Sequence, residues 1–425
     1  MIQAEKRNAF RAFRNRNYAL FFCGQSISQI GTWMQRTAVS WVIYSTTHSA
    51  SMLGLAVFAQ QFPSFLFSLL GGIVSDRYDR RKILLITQTA SLIQSILLAV
   101  LTFTNHYVVW EILLLSVVLG IVNAFDTPAR QPMVHELVSN KEDIVNALAL
   151  NSAMVNIARL IGPALSGIVL QSFGAHTCFS LNAFSFLAVI ASLLLIKLPP
   201  FTPPVLKKKV TAELSEGFTY LKQTPRIGII IILLMCMALF VLPYDTLMPV
   251  FAKTIFEGNA RTFGYIASAI GFGSIIGSLY LASLKRDTDL TGILLISIVV
   301  LGIGLIGFSR CPSFYWAIPF AVIIGFAALT PMTASITIIQ MEAAAHMRGR
   351  VMSYIAMAYF GMLPLGSLLA GAVSQKIAAP VTMLLQGCIA IVTAWVFSRY
   401  LKPEKLNNEN LEELQEAEHA IVEEA

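Results

Sequence analysis

The amino-acid sequence predicts an all-α membrane protein, with twelve transmembrane helices in two pseudo-symmetric six-helix bundles. Composition is the first reason. Of 425 residues, 56% are hydrophobic and 12% charged, and the mean hydropathy is +0.70, whereas a soluble domain is about one quarter charged. The second reason is a series of twelve apolar runs, each near or beyond the roughly 20 residues that span a bilayer. The third is a polar interruption at 198–225, with six runs on either side of it.

The chain opens with a polar, basic segment, 1–17, where Lys6, Arg7, Arg11, Arg14 and Arg16 are interleaved with Phe10 and Phe13. This pattern fits a short interfacial segment on the cytoplasmic face. It does not fit a cleavable signal peptide, because the first apolar run is too long for a signal's apolar region. The first half, 18–197, holds runs at about 18–44, 50–75, 83–104, 108–131, 145–171 and 176–197. The linker, 198–225, contains Pro199, Pro200, Pro203, Pro204 and Lys207-Lys208-Lys209. The second half, 226–401, has runs at about 226–251, 263–285, 290–309, 313–340, 350–376 and 380–401, and an acidic tail, 402–425, closes the chain. Leu411, Leu414, Ile421 and Val422 among the tail's glutamates leave a short amphipathic helix or a solvated tail open.

Twelve spans put both termini on one side, and the basic residues choose the cytoplasm. One set of loops holds Arg77, Arg80, Arg81, Lys82, Arg130, Lys141, Lys197, Lys207, Lys208, Lys209, Lys222, Arg226, Lys285, Arg286, Arg348 and Arg350. The other set holds Lys253, Arg261, Arg310 and Lys376. The formal charge of +7 is thus spread over loops between apolar runs, which argues against a nucleic-acid partner. Cys23, Cys178, Cys236, Cys311 and Cys388 have no metal or redox spacing and read as packing residues.

The halves repeat each other weakly. Gly162-Pro163-Ala164-Leu165-Ser166-Gly167 in span 5 answers Gly366-Ser367-Leu368-Leu369-Ala370-Gly371 in span 11. Gly54 and Gly264 open spans 2 and 8, Pro128 answers Pro331, and Glu136 answers Glu342. The offsets cluster near about 205 residues, as expected of duplicated halves.

Polar groups at membrane depth are costly, so they mark function. Gln25, Gln29, Thr32 and Arg36 share one face of span 1, and Ser152, Asn156, Arg159 and Pro163 share one face of span 5. With Gln60 and Gln61 of span 2, they predict a water-accessible substrate cavity. A structural tie within the bundle is the competing reading for each arginine. Two buried arginines point to an anionic or catechol-like substrate. Span 7 carries Pro243-Tyr244-Asp245-Thr246 and Pro249, a bend suited to gating. Asp245 has two readings: a carboxylate that takes up and releases a proton, or a partner of Arg36 across the halves. Asn123, Asp126 and Arg130 share one face at the cytoplasmic end of span 4.

The hairpin between spans 2 and 3 reads Gly72-Ile73-Val74-Ser75-Asp76-Arg77-Tyr78-Asp79-Arg80-Arg81-Lys82. Its Gly-x-x-x-Asp-Arg-x-x-Arg-Arg pattern resembles the signature loop of the major facilitator superfamily, with Asp79 where that family usually has a second glycine. The resemblance covers nearly all of 18–401. It implies that Asp126 pairs with Arg80 or Arg77, that Asp76 faces the start of span 11, and that Arg348 and Arg350 join the same conformational latch. Gly162-Pro163-x-x-x-Gly167 resembles a degenerate form of the superfamily's exporter motif. Arg16-Asn17-Tyr18, Gly31-Thr32-Trp33-Met34-Gln35, Asp126-Thr127-Pro128-Ala129-Arg130 and Arg348-Gly349-Arg350-Val351-Met352-Ser353 look like the bacterial group that contains the enterobactin exporter and macrolide efflux proteins.

That resemblance implies a secondary transporter of the bacterial inner membrane, without a cofactor. It would export a drug or siderophore-like small molecule by alternating access, with protons and membrane lipid as its other partners. The sequence lacks the Gly-x-x-x-x-Gly-Lys-Ser/Thr signature of an ATP-driven pump. Import of a metabolite, lipid handling and a receptor role remain open, because fold does not fix function. An intramembrane enzyme is disfavoured, since no nucleophile–base pair or metal cluster stands at membrane depth.

Overall fold

The structure, a computed structural model, describes residues 10–104, 108–138, 141–198, 210–285, 288–344 and 347–401. The expectations for Lys6, Arg7, the prolines and lysines of 199–209, Arg286 and the acidic tail 402–425 lie outside the described residues. The first bundle comprises α1 (Arg16–Thr47), α2 (Ala50–Arg77), α3 (Arg80–Thr104), α4 (Val109–Leu137), α5 (Lys141–Phe173) and α6 (Ala175–Leu195). The second comprises α7 (Pro225–Ile255), α8 (Ala260–Ala282), α9 (Leu290–Ser309), α10 (Phe314–Glu342), α11 (Arg348–Ile377) and α12 (Ala379–Ser398). The described residues contain no strand.

Among the described residues, eleven helices are long and apolar enough to cross a membrane. The twelfth, α1, has the length at 32 residues but is more polar, because its glutamines and Arg36 face protein and cavity rather than lipid. Short side-chain caps close the connections: Ser49 caps α2 through the Met52 amide, Asn259 caps α8 and Asp289 caps α9. α7 is an irregular helix. Pro243 and Pro249 remove backbone donors, and the ladder shifts through a π turn at Met237–Val241, a 3-10 stretch at Leu242–Leu247 and a second π turn at Phe251–Ile255.

The packing order repeats. In the first bundle α1 lies against α5 and α6, α2 against α4, and α3 against α4 and α6. In the second, α7 lies against α11 and α12, α8 against α10, and α9 against α10 and α12. Every pair recurs with both helices six later, which is the two-fold relation that the offset motifs predict.

The bundles meet along α2–α11 and α5–α8. Here the repeated small residues find their use. A Cβ on Gly54 would lie 2.4 Å from the Ser367 carbonyl oxygen, and one on Gly371 2.5 Å from that of Ala50. At the symmetry-related crossing, a Cβ on Gly264 would lie 2.5 Å from the Pro163 oxygen and one on Gly167 2.7 Å from that of Ala260. Only glycine allows backbones this close. Following the sequence assignment, we call this end the outer end. The large hydrophobic core runs through both bundles there, while the inner end of the first bundle has a separate core around Tyr18, Leu84, Met133 and Leu193.

Two segments dock at the inner end. The N-terminal segment, expected at the lipid interface, packs on protein over its described part: Ala12 is buried, its amide donates to Asn146 Oδ1 (3.0 Å), and Arg11 pairs with Asp143 (2.7 Å). Within the linker, Val210–Gln223 forms a helix. Its Glu216 pairs with Arg350 (2.6 Å), and its Tyr220 hydroxyl accepts from the Ala344 amide (3.1 Å).

Candidate substrate cavity and gates

A charged cluster lies where α1, α5, α7 and α11 converge. Trp33 and Arg36, three residues apart on α1, share a helical face. The Arg36 guanidinium sits 5.3 Å from the Trp33 ring centroid, and the Arg159 guanidinium of α5 approaches the same ring at 5.2 Å. Asp245 of α7 lies 3.7 Å from Arg36, an ion pair across the bundles and longer than a hydrogen bond. Arg159 interacts electrostatically with Arg36, Asp245, Tyr244 and Tyr359. The Asp245 side chain is 53% exposed although its neighbours Tyr244 and Thr246 are buried. At this depth such exposure means that the carboxylate opens into a cavity. Gln29, two turns from Arg36, and Asn156, three residues from Arg159, are half-buried on the same faces toward the inner end. Gln60 is also half-buried, and the three amide side chains make no hydrogen bond among the described residues.

Other polar residues tie helices together. Gln35, facing away from Trp33, donates to Gln94 (2.9 Å) and accepts from Ser95 (2.7 Å) and Asn182 (2.8 Å), joining α1, α3 and α6. Gln25 is 2% exposed and its Nε2 has no acceptor, so this member of the expected cavity set is inaccessible here.

The outer end is closed by polar contacts across the bundles. The hydroxyls of Tyr44 and Thr254 are 2.6 Å apart, Lys253 Nζ donates to the Ser45 carbonyl (3.3 Å), and Gln375 Oε1 accepts from the Ala50 amide (2.9 Å). Trp41 stacks on Phe263. At the inner end the ion pairs of Arg11, Arg80, Arg130, Arg226 and Arg350 each stay within one bundle or its docked segment.

The family model for transmembrane secretion effectors matches residues 7–425. The chain belongs to the transmembrane secretion effector family. It is therefore a multi-pass major facilitator transporter of the efflux group. Similar proteins include the staphyloferrin A transporter of Staphylococcus aureus, 28% identical over 94% of this chain and 99% of that protein. Multidrug efflux pump Tap of Mycolicibacterium fortuitum is 22% identical over 83% and 90%. Enterobactin exporter EntS of Salmonella typhi is 28% identical over 78% and 79%. Among solved structures, a point mutant of the nucleoside transporter NupG superposes with a TM-score of 0.76 at 14% identity, covering 91% of this chain and 100% of that one. A bacterial homologue of the lysosomal transporter Spinster, inward-facing and unoccupied, superposes with a TM-score of 0.71 at 14% identity over 90% and 97%. These likenesses concern the fold.

In this transporter the expected latch residues are apart. A Cβ on Gly72 would meet nothing within 4 Å, and Asp76 and Arg77 are exposed. Asp126, 1% exposed, pairs with Arg130 one turn on and accepts from Thr87 (2.9 Å) and Gln88 (2.7 Å). It does not meet Arg80 or Arg77, the partners implied by resemblance. The reason is depth. Thr87 and Gln88 lie about 10 Å further along α3 than Arg80, at roughly 1.5 Å per residue. Arg80 pairs instead with Glu136, near the end of α4. Arg348 donates from Nε to the Ala343 carbonyl (3.1 Å), and Arg350 holds Glu216 of the linker helix.

Sequence reading missed Trp33, Gln35 and Tyr359 as members of these constellations. Trp33 had a signal, since it stands three residues before Arg36 on the same face. Tyr359 had none, because α11 meets the cluster only through tertiary packing.

Proposed function

We propose that the transporter exports a siderophore- or drug-like small molecule from the cytoplasm, with proton entry as the driving force. The observation that carries this reading is the Arg36–Asp245 pair beside Arg159, open to a cavity whose outer end is shut. The names of the relatives, a siderophore transporter, a siderophore exporter and a multidrug efflux pump, support the substrate class. The exposed acid at membrane depth supports the coupling role of Asp245. In this reading both termini lie in the cytoplasm, and the structure is the inward-open state of a plasma-membrane protein.

In export, substrate enters from the inner end and lodges against Arg36, Arg159, Gln29, Asn156 and Gln60. The bundles rock, the glycine seams at the outer end part, and the inner ends close. Protonation of Asp245 from outside releases Arg36, and loss of that proton to the cytoplasm re-forms the pair. The inner latch follows from helix register. Gly54 touches Gly371, and eleven residues along α2, Phe65 touches Gly361, ten residues back along α11. The same register brings Asp76 opposite the first turn of α11, where Arg348 and Arg350 stand. Glu216 and Asp76 would then hold Arg350 in alternate states.

Accumulation of dyes, antibiotics and siderophores in cells lacking their own efflux pumps tests the reading. The transporter is expected to lower accumulation of at least one compound, a protonophore to abolish that effect, and Asp245→Asn to abolish it as well. Higher accumulation would mean import, and no change in any compound would remove the exporter reading.

A further inference from the structure

The cavity cluster carries an imbalance of charge. Its titratable and charged members, from every element packed there, are Arg36 of α1, Arg159 of α5, Tyr244 and Asp245 of α7 and Tyr359 of α11. Two guanidiniums thus face a single carboxylate, and the remaining groups are neutral phenols. The one carboxylate stands 3.7 Å from Arg36. Arg159 has no ion pair among the described residues, and its buried Nε finds no acceptor. Stacking on Trp33 stabilises a guanidinium only modestly and leaves its hydrogen-bonding fork unused. An unanswered cation at membrane depth is costly unless a counter-charge arrives. The Arg36 and Asp245 side chains remain 36% and 53% exposed, and the Tyr244 and Tyr359 hydroxyls make no hydrogen bond among the described residues.

We propose that the transported molecule is an organic anion carrying at least two acidic groups, bound between the Arg159 and Arg36 guanidiniums over the Trp33 ring. The inference rests on the export reading and names its substrate class. One acidic group takes the free fork of Arg159 in the bidentate geometry that a guanidinium offers to a carboxylate or a catecholate. The second competes with Asp245 for Arg36, which is feasible because that pair is already stretched. Substrate and Asp245 thereby share one counter-ion: an occupied cavity frees Asp245, and an empty cavity restores the pair. A cationic substrate would add to an existing positive excess and have only a shared carboxylate to meet it.

The test is binding to the full-length transporter in lipid nanodiscs, read by calorimetry and thermal shift. The probes are citrate, 2,3-dihydroxybenzoylserine, acetate and ethidium. Citrate or 2,3-dihydroxybenzoylserine is expected to bind and stabilise, and which of them does so separates carboxylate from catecholate recognition. Acetate and ethidium are expected to do neither. Arg159→Gln is expected to weaken the acid at least tenfold, and Arg159→Lys, which keeps the charge but loses the fork, by less. Each variant is checked for an unchanged unfolding temperature without ligand. Equal affinity of the acid for wild type and Arg159→Gln would overturn the proposal, as would failure of both acids to bind. Uptake into inside-out vesicles separates the two readings. Ethidium uptake without acid binding would overturn the anion site and leave export standing. Acid binding without uptake would support the site and overturn export.

Discussion

Gln35 and Trp33 are two residues apart on α1 and face opposite ways, Gln35 toward neighbouring helices and Trp33 toward the charged cluster. Gln35 satisfies groups on three helices. Replacing it with Leu leaves Gln94, Ser95 and Asn182 short of partners in an apolar setting, at a cost of about 1–3 kcal/mol. Unfolding in mixed micelles should show that loss while the cavity cluster remains intact. A different residue is strained. Ala378, between α11 and α12, has φ 72° and ψ 153°, a region open essentially to glycine. Gly174, at the equivalent turn between α5 and α6, has φ 84°. Ala378→Gly is therefore expected to stabilise the protein by about 1 kcal/mol or more, measured as a higher unfolding temperature. At the same scale, Asp126 shows what resemblance could not settle: its partner depends on how deep along α3 the helix α4 places it.

Among elements, the two glycine seams are the parts that must open. Gly54→Leu or Gly264→Leu inserts a side chain where only backbone now fits. Each should prevent outer closure and expose Thr254, read as faster labelling of Thr254→Cys by an impermeant thiol reagent. The pseudo-symmetry predicts similar effects from the two variants, and a change from only one would mean that the seams do not move together. The linker helix offers the opposite lever. Glu216→Gln removes the carboxylate that holds Arg350 and should raise cross-linking between Tyr78→Cys and Gly349→Cys, a pair that leaves Asp76 in place, since it favours the closed inner gate. Unchanged cross-linking would exclude competition between Glu216 and Asp76.

For the whole molecule, α2–α11 and α5–α8 join the two bundles at the outer end, and the export cycle proposed above requires both pairs to part there while the inner ends approach. Spin labels on the inner ends of α2 and α11 should move closer, and labels on the outer ends of α1 and α7 farther apart, when substrate is added. Distances that changed in the same direction at both ends would contradict rocking.

The sequence by itself determined the spans and the two-fold repeat, because hydrophobic length, loop charge and small-residue motifs are local properties written along the chain. It also singled out Arg36, Arg159 and Asp245, because charge at membrane depth is visible without coordinates. It left two readings of Asp245 standing, and it missed Tyr359 and the docked linker helix. Tertiary structure alone decided that Arg36 meets Asp245 across the bundles, that Arg159 is left without a counter-ion among the described residues and that the outer end is the closed one. Those facts depend on the depth and rotation of helices relative to one another, which packing between distant segments sets and no local pattern records.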